Sequence, residues 1–71
     1  MPKRYSTKDI EKVLLSRGFS RVSQRGSHVK FTDGPHTVIL PAGRDVVRAG
    51  TFASILRQSG LSATDFSDVQ A

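Results

Sequence analysis

Residues 19–32 read FSRVSQRGSHVKFT, two runs of strand-forming residues on either side of a Gly-Ser pair. Gly26-Ser27 is a Gly-X pair of the kind that closes a hairpin, since glycine reaches the positive φ that such a turn demands. A two-residue loop fixes the pairing: Arg25 faces His28, Gln24 faces Val29, Ser23 faces Lys30, Val22 faces Phe31 and Arg21 faces Thr32. Alternation along the strands then predicts an apolar face of Val22, Val29 and Phe31. The opposite face carries Arg21, Ser23, Arg25, His28, Lys30 and Thr32, which sets a histidine among cations where water reaches it.

Working outward, Asp33-Gly34-Pro35 is turn chemistry, and His36 to Pro41 reads as a third strand with Val38 and Leu40 inward. Upstream, Ser6 and Asp9 have the spacing of a capping box. Ile10, Val13 and Leu14 follow on one helical face, so a helix is predicted from Thr7 to Arg17, with Gly18 as its stop. Ala42 to Gly50 reads as a loop that Val46-Val47 tacks onto the core. A second helix is predicted from Thr51 to Ser59 with Phe52, Ile55 and Leu56 on one face, ending at Gly60 with Leu61 beyond. Ser62 and Asp65 repeat the capping pattern, and a short final turn carrying Phe66 precedes a fraying end. The fold class is α+β, in the order α-β-β-β-α: a three-stranded antiparallel sheet with two helices on one face and the cationic face uncovered.

A chain of 71 residues buries only about 60% of its unfolded surface, so residues 1–71 are expected to form a single domain. Eleven Lys and Arg against six Asp and Glu give a net charge of +5, which favours phosphate-rich partners and also serves solubility. The absence of cysteine excludes disulfides and thiolate metal sites and suits a reducing cytoplasm. Residues 1–5 lead into a polar segment rather than an apolar signal core, and no window reaches membrane-spanning length. A soluble, unprocessed, cytoplasmic protein with no membrane partner is expected.

Among side chains able to do chemistry, His28 leads, because an imidazole takes or gives a proton near neutral pH. The alternative is an ordinary exposed strand residue. His36, at the start of the third strand, has no local partner pattern and reads as a solvated loop histidine. Two histidines without a third ligand in a recognised spacing make no metal site, and no cofactor is expected. Arg21, Arg25 and Lys30 can neutralise successive phosphates, or form a plain solvated face. Ser27 either contacts phosphate or only fills the turn. Arg44 and Arg48, upstream of a helix opening at Gly50-Thr51, make that helix start a possible phosphate contact, while Thr51 as a simple cap is the other reading. No row of exposed aromatics offers a base-stacking platform.

Gly18-Phe19, then Gln24-x-Gly26-Ser27-His28, then Gly50-Thr51-Phe52-x-x-Ile55-Leu56-Arg57-Gln58-Ser59-Gly60-Leu61 together resemble the HicA family of bacterial toxins over roughly residues 6 to 66. The resemblance implies a fold like a double-stranded-RNA-binding domain. It further implies an mRNA interferase, an endoribonuclease that arrests growth and is blocked by a HicB-type antitoxin covering the His28 face, with DNA reached only through that antitoxin. The family's catalytic histidine maps onto His28, with Gly26 and Ser27 as its turn. Many relatives carry a second histidine next, where this chain has Val29; the pairing above points that position to the core. The expected reaction is metal-independent cleavage with His28 as base on a ribose 2′-hydroxyl. The rival is a non-catalytic double-stranded-RNA-binding module, against which stands the lack of basic residues from Thr51 to Leu56.

Overall fold

Val29 and Phe31 on one strand and Val38 and Leu40 on the next alternate with exposed neighbours, and this period of two builds the centre of the molecule. The computed structural model describes residues 4–67. It consists of α1 (Thr7–Ser16), β1 (Ser20–Arg25), β2 (His28–Thr32), β3 (Thr37–Pro41), α2 (Ala49–Ser59) and α3 (Ala63–Ser67). The strands form one antiparallel sheet in the order β1-β2-β3. Helices cover one face, where Ile10, Val13 and Leu14 of α1, Ile55 of α2 and Phe66 of α3 join Val29, Phe31, Val38 and Leu40 in a single hydrophobic cluster. This is the expected α+β architecture with an open sheet face, and the anticipated final turn is the short helix α3. The fraying expected past Phe66 and the leader reading of residues 1–3 fall on residues 68–71 and 1–3, outside the described residues.

The predicted local devices explain where elements begin and end. Ser6 Oγ accepts from the Asp9 backbone N–H at 3.1 Å, and Asp9 Oδ2 accepts from the Ser6 N–H at 3.1 Å, a complete capping box at the start of α1. The hairpin turn has Gly26 at φ 60° and Ser27 at negative φ, the arrangement of a Gly-first two-residue loop. α2 ends at Gly60 in the left-handed region, φ 73°, with its N–H donating to the Leu56 carbonyl.

Two readings of the hairpin are corrected. Pairing follows the predicted register for Arg25, Gln24 and Ser23, then slips: Arg21 lies opposite Phe31 and Ser20 opposite Thr32, with a bulge at Val22. Val22 is therefore not part of the apolar face but 51% exposed, and Arg21 leaves the row of open-face cations. Arg21 instead donates from its guanidinium to the Gln24 Oε1. The physical reason is visible in β1 itself, whose six residues are all exposed. Its helix-side positions hold Gln24 and Arg21, which gain nothing from burial, so the core stops at β2 and the edge strand is free to bulge.

The second helix also differs at its start. It opens at Ala49, with Arg48 as the capping residue and no side-chain cap. Thr51 thus lies inside the first turn, neither capping the helix nor opening it.

The loop from Pro41 to Arg48 is tied to the chain leading into α1. Thr7 Oγ1 donates to the Pro41 carbonyl at 2.7 Å and accepts from the Arg44 N–H at 2.9 Å. The Thr7 N–H donates to the Arg44 carbonyl, and the Val47 N–H to the Tyr5 carbonyl. Val47 is buried and Val46 exposed, so one residue of the pair does the predicted tacking. Tyr5 is buried too. Its ring stacks on Phe52 with centroids 5.0 Å apart, and both meet Phe66 edge-on, an aromatic cluster that the polar context of Tyr5 conceals.

Candidate functional site

His28 is the first residue of the central strand, held between Arg25 of β1 and Pro41 of β3. Its position is set by the turn. The Ala42 N–H donates to the Ser27 carbonyl at 2.7 Å, which ties the hairpin tip to the residue after β3. Gln24 Nε2 donates to the Gly26 carbonyl at 3.1 Å, closing the tip from the other side. The imidazole is thus mounted on a braced strand end rather than on a loose loop.

The open sheet face brings together Ser23, Arg25, His28, Lys30 and Ile39 around a shallow cleft of about 300 Å³. No carboxylate lines it. Among the described residues the side chains of Arg25, His28 and Lys30 have no hydrogen-bonded or ion-paired partner, so two uncompensated cations flank an available imidazole. A site of this make-up attracts a polyanion and can remove a proton from it.

The other predicted contacts are dispersed. Ser27 sits at the turn beside His28, its carbonyl already engaged and its residue exposed. Arg21 lies past the bulge, bonded to Gln24. Arg44 and Arg48 are exposed in the loop and at the start of α2. Arg48 lines a larger groove of about 820 Å³, walled by Tyr5, Val46, Val47, Phe52 and Leu56. That groove shares no residue with the His28 cleft and has no histidine or carboxylate in its lining, so of the two only the smaller cleft presents an imidazole.

His36 does have a local partner, contrary to its reading as one without. It lies in the turn before β3, with Nδ1 3.1 Å from Asp33 Oδ2 and its N–H donating to Asp33 Oδ1 at 2.8 Å. Partial desolvation pushes the Asp33 carboxyl up, but the hydrogen bonds from the His36 backbone and ring, with the ring's charge, outweigh it and hold the carboxyl below its ordinary value. The pair is far from the cleft in role: it closes the β2–β3 turn. Among the described residues no three His, Cys, Asp or Glu side chains gather to hold a metal ion.

Sequence reasoning missed Ile39 and passed over Ser23. Both follow from alternation, Ile39 as the outward residue between Val38 and Leu40, and Ser23 as the cross-strand partner of Lys30.

The strand-borne histidine beside a Gly-Ser turn, on the bare face of a three-stranded sheet, coincides with a family match. The model of the HicA toxin of bacterial toxin-antitoxin systems matches residues 7–61. The chain belongs to the HicA toxin family. The match spans α1, all three strands and α2, and so contains every residue of the cleft. No curated protein matches the chain. As a HicA-family member the chain is the toxin component of a toxin-antitoxin system and has a cognate antitoxin as partner. No helix among the described residues is long and apolar enough to cross a membrane.

Proposed function

We propose that this HicA-family toxin is a ribonuclease that cuts mRNA in the cytoplasm and so stops translation and growth. The observation that carries the reading is the exposed His28 between the unpaired cations Arg25 and Lys30. Neutral His28 takes the proton of a ribose 2′-hydroxyl, and the 2′-oxygen attacks the adjacent phosphorus. Arg25 and Lys30 stabilise the charge that builds on the non-bridging oxygens, and Ser27, in the turn beside His28, contacts the phosphate. The bond from phosphorus to the 5′-oxygen breaks, that oxygen takes a proton from solvent, and the products carry a 2′,3′-cyclic phosphate and a 5′-hydroxyl. The imidazolium then returns its proton to water. Arg21, Arg44 and Arg48 serve as outlying phosphate contacts that hold the flanking RNA. A HicB-type antitoxin blocks the toxin by covering the cationic face, and reaches DNA on the toxin's behalf.

Replacing His28 by Ala tests this directly. The side chain is exposed, so the melting temperature should stay within about 2 °C, while cleavage of a long RNA falls by about 10²- to 10⁴-fold and growth arrest is lost. Cleavage at the parent rate by the His28→Ala protein would remove His28 from the mechanism. Retention of duplex RNA in a gel without any cut product from the parent protein would favour the binding-module reading instead.

A further inference from the structure

Ile39 is 38% exposed on the open face, in the lining of the His28 cleft and directly opposite Lys30. The core makes no use of it: its neighbours Val38 and Leu40 are the inward residues, each at 0% exposure. The Ile39 N–H turns away from β2 and donates to Gln58 Oε1 at 3.0 Å. Lys30 and Ile39 are therefore a non-hydrogen-bonded pair of the ladder, the kind in which facing side chains come closest. Every other side chain in the lining, Ser23, Arg25, His28 and Lys30, is polar or charged. An aliphatic branch is held two pairs along the ladder from the imidazole, on the same face, in a cleft otherwise built for charge.

We infer that Ile39 is the nucleoside contact of the site, packing on the ribose and base of the nucleotide whose 2′-hydroxyl is attacked. The inference rests on the reading of His28 as the base in RNA cleavage. Phosphate contacts alone cannot place a nucleotide, because every residue of the strand presents the same charge and the chain can slide. Contact with an apolar sugar edge and base face is short-ranged and independent of charge, so it fixes which nucleoside lies over His28. The braced geometry suits this task, since Gln58 anchors the backbone of Ile39 from outside the sheet.

The test uses the full chain and a single-stranded RNA oligonucleotide with one cut site. Binding is measured on His28→Ala protein, which removes turnover, with and without Ile39→Ala, across a salt series. Loss of the contact should weaken binding about fivefold at every salt concentration and leave the slope of log affinity against log salt unchanged. Lys30→Ala should instead flatten that slope by about 0.7. In otherwise native protein, Ile39→Ala should raise KM about fivefold with kcat unchanged and the melting temperature lowered by no more than about 4–8 °C, and Ile39→Val should restore most of the loss. An oligonucleotide lacking the base at the cut site should narrow the difference in affinity between His28→Ala protein with and without Ile39→Ala, and an undiminished difference overturns the base contact. Parent-like affinity of the Ile39→Ala protein, or a changed salt slope, overturns the inference while leaving His28-dependent cleavage intact. No RNA binding by any variant overturns both readings together.

Discussion

A methyl group at position 60 would lie 2.9 Å from Nε2 of His36, and the backbone there has φ 73°. Gly60 is therefore required twice, for a left-handed helix end that side chains rarely adopt and for the room its missing Cβ leaves to the imidazole. Two independent penalties predict that Gly60→Ala costs about 1–3 kcal/mol, read as a lowered urea midpoint with unchanged slope. Gly26→Ala has the strained φ of 60° but open space around it, so it should cost less, about 1 kcal/mol. Equal losses at the two sites would mean that His36 yields freely. The helix stop at Gly60 was legible in the sequence as a glycine after an apolar helical face. Its second duty was not, because His36 is twenty-four positions earlier and reaches Gly60 only when β3 and α2 pack together.

At the scale of elements, the sheet separates what alternation can tell from what it cannot. Val38 and Leu40 are inward as the period of two requires, whereas Val22, equally apolar, is turned out by the bulge. Val22→Thr should leave stability within about 0.5 kcal/mol, while Leu40→Ala should lose about 2–5 kcal/mol, both read from chemical denaturation. Substantial destabilisation by Val22→Thr would show that β1 packs on the helices after all. The registers nearest the Gly-Ser turn, and with them the grouping of Ser23, Arg25, His28 and Lys30, were legible because a short loop fixes pairing locally. Past Ser23 the pairing depends on whether any helix covers β1, a tertiary fact to which local pattern is blind. The same limit explains Thr51: a Gly-Thr pair has the composition of a helix start, but Val47 and its bond to the Tyr5 carbonyl fix the chain so that the helix begins two residues sooner. Ile39 was within reach of alternation, yet an aliphatic side chain draws no notice in a search for charge.

Across the whole molecule, the small core leaves the last element dependent on a few polar ties. α3 contributes Phe66 to the hydrophobic cluster, and Asp65 fastens it. The Asp65 carboxylate accepts from the Ser62 N–H at 2.9 Å and from its hydroxyl at 3.2 Å, and pairs with Arg17, just past α1, at 3.3 Å. The Ser62 backbone hydrogen bond, against partial desolvation and aided by the Ser62 hydroxyl and Arg17, holds the carboxyl below its ordinary value. A carboxyl whose folded value is depressed binds protons more readily when unfolded, so its contribution is fully present above the unfolded value of about 3.9 and is lost as pH falls through the folded one. Asp65→Asn should accordingly melt below the parent at pH 7, and the two melting curves should converge once the pH is below the folded value, where the parent carboxyl is itself neutral. His28-dependent cleavage at pH 7 should be unchanged, because Asp65 and its partners Ser62 and Arg17 are not among the residues that line the cleft. A gap in melting temperature that persists undiminished into acid would assign the tie to shape rather than charge, and would leave Phe66 alone to hold α3 against the body of the protein.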